Sequence, residues 1–207
     1  MYAINHASTA LLLKRNGDSL PVLPLLISTQ VVELFWVLFN FIGIEHFSVS
    51  SGQLHLDYLP FSHSIFTSVL LSSLSYIIIR WGIGHKKLAL PFAIGVLSHV
   101  VLDILFHEKD IHLFPFDGSP VWGLGIIQYP VVNFILEMGY GLFCWWYFKG
   151  TRKLLAAIVA FNIIDLPVML ATGPVLNIFV DYPFLLPAFI LFQILVTWYF
   201  VWRYSYV

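Results

Sequence analysis

The chain has 207 residues, 59% of them hydrophobic and only 10% charged, with a mean hydropathy of +0.87. Soluble domains carry about 45–50% apolar and about 25% charged residues, so this composition excludes a domain with a mostly hydrated surface and, more firmly, disorder. Ten Lys and Arg against eleven Asp and Glu leave a net charge of −1, which gives no overall basic field for binding nucleic acid.

The first stretch, residues 1–13, is apolar, contains His6 and is followed by the basic pair Lys14-Arg15. A signal peptide has its basic residues in front and a small-residue cleavage site behind. The segment is therefore expected to stay, as a half-helix at membrane depth covered by protein or water. Six further stretches approach or exceed the length of about 20 residues that a membrane helix needs. They are 20–44 with Glu33, 61–79 with His63 at its head, 88–106 with His99 and Asp103, 121–148 with Glu137, 154–171 with Asp165, and 184–202. Short segments rich in Gly, Pro and charge divide them. The expected fold is all-α: a polytopic membrane helix bundle of about six transmembrane helices plus the short N-terminal half-helix, one integral membrane domain over 1–207. Cys144, the lone cysteine, lies in an apolar run with no metal-type spacing and reads as packing.

Threading six helices back and forth puts Lys14, Arg15, Arg80, Lys86, Lys87, Lys149, Arg152, Lys153 and Arg203 on one side and only Lys109 on the other. Basic residues accumulate in cytoplasmic loops, so both termini are expected in the cytoplasm. The loops 45–60, 107–120 and 173–183 then face outward, where Glu45, Asp57, Glu108, Asp110, Asp117 and Asp181 make an acidic face.

Ionisable residues within membrane helices are costly and face the bundle interior or a water-filled cavity. Here they are Glu33, His63, His99, Asp103, Glu137 and Asp165, with His6 beside them. The sharpest pattern is His99, Asp103 and His107, each four residues from the next and therefore stacked along one helix face. His99 and His107 stand about 12 Å apart along the axis. One ion can thus take Asp103 with either histidine but hardly both; either two metals bind, or one histidine is an acid, a base or a supporting partner. Counting about 1.5 Å per residue from the basic anchors puts His99 and Glu137 about 18 Å deep and His6 about 12 Å deep. His63 and Asp103 sit higher by the same count, with His107 above them. Imidazoles mixed with carboxylates suit a divalent ion such as Zn, Mn or Fe. Asp165, close to Asn162 and Pro167, reads as part of a kinked helix, His46, His55 and His85 as loop residues, and His112 as intermediate.

The chain carries, in order, Asn5-His6-Ala7, Gln30-Val31-Val32-Glu33-Leu34-Phe35-Trp36, Gly43-Ile44-Glu45-His46 and Tyr58-Leu59-Pro60-Phe61-Ser62-His63-Ser64. These are followed by Ser98-His99-Val100-Val101-Leu102-Asp103, the run from His107 to Pro115, Gly123-Leu124-Gly125 and Glu137. Over residues 1–140 this resembles the LexA-regulated, membrane-bound, predicted metal-dependent hydrolase family of bacterial inner-membrane proteins. The resemblance implies that His6, His63, His99 and Asp103 belong to a metal site, with His107 and Asp110 as additions. Glu33 stands where many members have Asp.

The expected function is therefore a membrane-embedded metal-dependent hydrolase opening toward the outer face, with His6, Glu33, His63, His99 and Asp103 holding a divalent ion, Zn or Mn. His107 and Glu137 are the expected proton-transfer or supporting groups, and a lipid or lipid-linked ester or phosphoester is the expected substrate. Two other readings compete. A proton- or metal-ion-coupled transporter would use the same stripe as an ion path, and a structural protein would use it only to lock helices together.

Overall fold

The computed structural model describes residues 1–16, 19–50, 53–116, 118–170 and 174–205. It opens with α1 (Ala3–Asn16), which at about 1.5 Å per residue reaches about 21 Å, short of the hydrocarbon thickness. This helix is enclosed by the others. Ile4, Ala7 and Leu11, spaced for one face, are fully buried, and so are Asn5, Ser8 and Ala10 around the rest of it. The expected N-terminal half-helix is thus a central post, packed against α2 (Val22–Phe41) and the later helices α5, α6, α7 and α9 defined below.

After α2 the chain forms an antiparallel hairpin, β1 (His46–Ser50) with β2 (Gln53–Tyr58), in what the sequence presents as a loop. A single-turn helix α3 (Pro60–His63) starts with Pro at its first position and stops at Ser64. The Ser64 hydroxyl accepts from Thr67 N at 3.1 Å and so caps α4 (Ile65–Ile77), which continues as a wider turn to Gly82. Then come α5 (Lys86–Phe106), a second small hairpin of β3 (Ile111–His112) and β4 (Val121–Trp122), α6 (Pro130–Phe148), α7 (Arg152–Met169), α8 (Pro174–Asp181) and α9 (Leu185–Ser205). The all-α class holds, with two short hairpins added.

Among the described residues, four helical segments are long and apolar enough to cross a membrane: Val22–Phe41, Ile65–Gly82, Lys86–Phe106 and Leu185–Ser205. The other two apolar stretches are helical but differ from a plain span. The first was expected to begin at residue 121, yet α6 begins only at Pro130. Gly123, with φ +154°, is pressed against the backbone of the preceding loop, where an added Cβ would fall 1.7 Å from the Glu108 carbonyl oxygen. The chain there cannot be helical. The second stretch, α7, carries Arg152, Lys153 and Asp165 within its 18 residues.

Two apolar clusters divide the core. One surrounds α1 and includes Ile4, Leu11, Leu25, Leu26, Leu88, Cys144, Ile158 and Val201; the other includes Trp36, Val37, Leu59, Val100, Ile111 and Leu186. Along α2, the gap between them is occupied by Ser28, Thr29, Gln30 and Glu33, the first three fully buried. Small residues let helices approach there. Gly95 of α5 lies so close to Ser28 of α2 that a Cβ on it would fall 2.0 Å from the Ser28 Oγ.

The ends of the bundle are also sorted. Arg15, Trp145, Lys149 and Gly150 line one cavity of about 550 Å³, and Thr151 donates to the Tyr204 carbonyl nearby at 3.3 Å. Toward the other end Phe41 stacks on Phe184 at 6.1 Å, and Phe66 N donates to the Leu113 carbonyl at 3.0 Å.

Candidate metal centre

Each helix around the polar gap delivers one or two donors. On α5, His99 and Asp103 are one turn apart, and His107 is the residue that ends the helix. Asp103 lies between the two histidines and meets each with a different oxygen: Oδ2 is 3.1 Å from His99 Nε2, and Oδ1 is 3.7 Å from His107 Nε2. From α2, Glu33 Oε2 stands 3.4 Å from both His99 Nε2 and His63 Nε2. The break between α3 and α4 leaves His63 buried, its Nε2 3.7 Å from Asp103 Oδ2. From α1, His6 Nε2 is 3.2 Å from Asp103 Oδ1, and its ring stacks on His99 with centroids 4.0 Å apart. The Met1 nitrogen lies 3.4 Å from the same Oδ1.

His6, Glu33, His63, His99 and Asp103, five residues scattered over almost 100 positions, are therefore brought together. They form two overlapping donor sets, His6–His99–Asp103 and Glu33–His63–His99. Separations of 3.1 to 3.7 Å between donor atoms are close to the edges of a coordination shell; bonds of about 2.0–2.2 Å in a tetrahedron give edges of about 3.3–3.6 Å.

Their hydrogen bonding distinguishes ligands from packed polar groups. Buried polar atoms are nearly always paired, yet both ring nitrogens of His6, Nε2 of His99 and Oδ2 of Asp103 are buried without a hydrogen-bond partner. His6 Nε2 and His99 Nε2 thus approach the Asp103 oxygens closely without hydrogen-bond alignment. The opposite nitrogens of three histidines are engaged. His99 Nδ1 is 2.9 Å from the Thr29 carbonyl oxygen, an acceptor, so Nδ1 carries the proton and Nε2 the lone pair. His107 Nδ1 is 3.4 Å from Asp110 Oδ2, with the same consequence. His63 Nδ1 is 2.7 Å from Ser62 Oγ, whose own hydrogen is donated to Glu45 Oε2 at 2.6 Å, so this imidazole too presents a bare Nε2. Metal-binding histidines are oriented in this way. Glu33 and Asp103 add two formal negative charges, matching a divalent cation. The donor set thus fits the ion that the residue types suggest.

Glu45 differs from its expected place on a hydrated acidic face. It is 1% exposed and accepts from Phe61 N at 2.9 Å and Ser62 N at 2.7 Å through Oε1, besides the Ser62 hydroxyl through Oε2. Burial pushes its carboxyl above the usual range, while these donors pull it back. Its location in a loop and its charge point to solvent, and only the motif Gly43-Ile44-Glu45-His46 marks it in the sequence. Thr29 acts through its backbone carbonyl, which no side-chain pattern reveals.

Glu137 does not point among the five. Its Oε2 accepts from Tyr2 N at 2.8 Å and Asn5 Nδ2 at 2.7 Å, and Asn5 bonds to Asn162 Oδ1 of α7 at 2.9 Å. It ties the start of α1 to α6, and so holds His6 in place. Asp165 is paired with Gln193 of α9 at 2.5 Å and has no contact with the ligand set among the described residues. His85 caps α5 by accepting from Leu88 N at 3.2 Å, His46 lies exposed on β1, and His112 on β3 keeps Nδ1 buried without a partner. Asp117 and Gly173 fall outside the described residues, as do the side chains of His55 and Asp57.

Access to the cluster is uneven. The side chains of His6, His63, His99 and Asp103 are at most 3% exposed, whereas Glu33 is 22% exposed and His107 12%. Glu33 and His107 are therefore the members of the cluster nearest the bundle surface. Compared with protein-family models, curated proteins and solved structures, the chain finds no match in any of the three.

Proposed function

We propose that this chain is a membrane-embedded, metal-dependent hydrolase in which Glu33, His63, His99 and Asp103, with His6, hold a divalent cation, Zn or Mn. The observation that carries the reading is the convergence of buried imidazoles, each of three with its Nδ1 engaged and its Nε2 bare, on two carboxylates. Within this set, atoms of His6, His99 and Asp103 are buried and unpaired, as ligand atoms awaiting an ion would be. When bound, such an ion lowers the pKa of its water to about 7 and polarises a carbonyl or phosphoryl oxygen. The resemblance over residues 1–140 supports hydrolysis as the reaction class.

In this reading His107, beside Asp103 on the more open side, transfers protons. Glu137 keeps α1, and with it His6, at the centre. The substrate is a lipid or lipid-linked ester or phosphoester, consistent with a site among apolar helices that opens past Glu33 and His107 toward the acidic outer end. In this reading both termini are cytoplasmic, which the one-sided basic residues support, and the membrane is a bacterial inner membrane, which the family resemblance supports.

The test is the purified protein in lipid nanodiscs, analysed for bound metal and assayed on a panel of lipid esters and phosphoesters. Metal and turnover are expected to disappear together in His99→Ala and Asp103→Asn. A wild-type protein that binds neither Zn nor Mn refutes the reading. Ion or proton flux in liposomes without hydrolysis would replace it with a transporter.

A further inference from the structure

The donors outnumber what one ion needs. Structural and catalytic zinc sites take three or four protein ligands, and Glu33 Oε2, His63 Nε2, His99 Nε2 and Asp103 Oδ2 already meet that number, linked in a ring by separations of 3.4, 3.7, 3.1 and 3.4 Å. Beyond them stand His6, His107 and the second oxygen of Asp103. His6 Nε2 is 3.2 Å and His107 Nε2 3.7 Å from Oδ1, the oxygen turned away from that ring's contacts.

Three further observations point to a ligand here. His6 is 3% exposed and neither of its ring nitrogens has a hydrogen-bond partner. The His107 ring is held through Nδ1 by Asp110, as His63 and His99 are held by Ser62 and Thr29, so it is prepared as a ligand rather than left free to turn. Asp110 keeps its other oxygen, Oδ1, buried and unpaired beside it.

We infer that the centre binds two divalent cations bridged by the Asp103 carboxylate, one on Oδ2 with Glu33, His63 and His99, the other on Oδ1 with His6 and His107. This rests on the metal-site reading above and reassigns His107 from proton transfer to ligation. It also narrows the substrate: paired ions are suited to clamping the attacking and leaving oxygens of a phosphoester, so a phosphate-bearing lipid is favoured over a carboxylic ester.

The metal-free full-length protein in nanodiscs, titrated with Mn(II), tests it by elemental analysis and low-temperature electron paramagnetic resonance. The expected wild-type result is two Mn per chain with an exchange-coupled spectrum. His107→Gln and His6→Gln are expected to retain one Mn with an uncoupled spectrum, and Asp103→Asn to lose the coupling. One uncoupled Mn in the wild type overturns the second ion and leaves the single-metal reading standing. No bound Mn or Zn overturns both. If His107→Gln loses all metal while its thermal melt is unchanged, His107 serves a single ion and the two-ion inference falls. The wild-type spectrum decides the question even where a variant does not fold.

Discussion

A single methyl group at Gly95 should weaken the metal centre without touching a ligand. Gly95 is one turn before His99 on α5 and faces Ser28, one position before Thr29, whose carbonyl holds the His99 ring. In Gly95→Ala the new Cβ would meet Ser28 Oγ at 2.0 Å and Ser28 Cβ at 2.8 Å. The hydroxyl can rotate away, giving up its 2.7 Å bond to the Leu25 carbonyl, but the Cβ cannot. Bringing that contact to an ordinary 3.4 Å requires α2 and α5 to part by about 0.6 Å. The Glu33–His99 separation runs between these same helices, so 3.4 Å would open to about 4.0 Å, beyond the edge of a compact coordination shell. Overpacking of this kind costs about 1–3 kcal/mol in stability, and loss of ligand support lowers metal affinity by about 10- to 100-fold. The assay is a thermal melt with a competitive Zn or Mn titration in nanodiscs. Gly139→Ala, where an added Cβ meets nothing within 4 Å, is the control, and Ser28→Gly combined with Gly95→Ala should recover most of the affinity. A Gly95→Ala protein with wild-type melt and wild-type affinity would refute the close-approach argument.

Three other outcomes follow from the same geometry. Ser62→Ala and Glu45→Gln should each reduce metal affinity by about 10- to 100-fold, because His63 loses the partner that holds its Nδ1, or that partner loses its anchor; metal titration checks this, and unchanged affinity would make the chain from Glu45 to His63 irrelevant to the site. Asp165→Ala should destabilise the bundle by about 1–3 kcal/mol by leaving the Gln193 amide unpaired, with metal affinity unaltered; a fall in affinity would extend the site to α7. Chelation should lower the melting temperature of the loaded protein, since an ion at 1,000 times its dissociation constant contributes about 4 kcal/mol; an identical melt with and without chelator would mean that no ion is bound in the folded state.

The site shows how much of such a protein is readable before folding is considered. His99, Asp103 and His107 were identifiable as neighbours because four-residue spacing has only one consequence on an α-helix. His6 and His63 were brought into the same set by motif resemblance, with Glu33 standing where many members have Asp, and the structure places them within 3.2 to 3.4 Å of a partner in it. Glu137 shared the depth of His99 yet turned to Tyr2 and Asn5, because depth along the membrane normal says nothing about rotation of a helix about its axis. Glu45 escaped for a related reason: its loop folds back over α3, and chain position alone cannot distinguish a charged loop residue facing water from one buried under a neighbouring turn.

Composition and periodicity by themselves determined the all-α membrane class, the apolar stretches and the polar stripe of α5, since these depend on local spacing and on the cost of exposing apolar surface to water. The number of helices fit to cross, the late start of α6 at Pro130 and the orientation of each imidazole were decided only by tertiary packing. Those features depend on contacts such as Thr29 with His99, Glu45 with Ser62 and Gly95 with Ser28, in which the partners lie on different elements and apart in the chain.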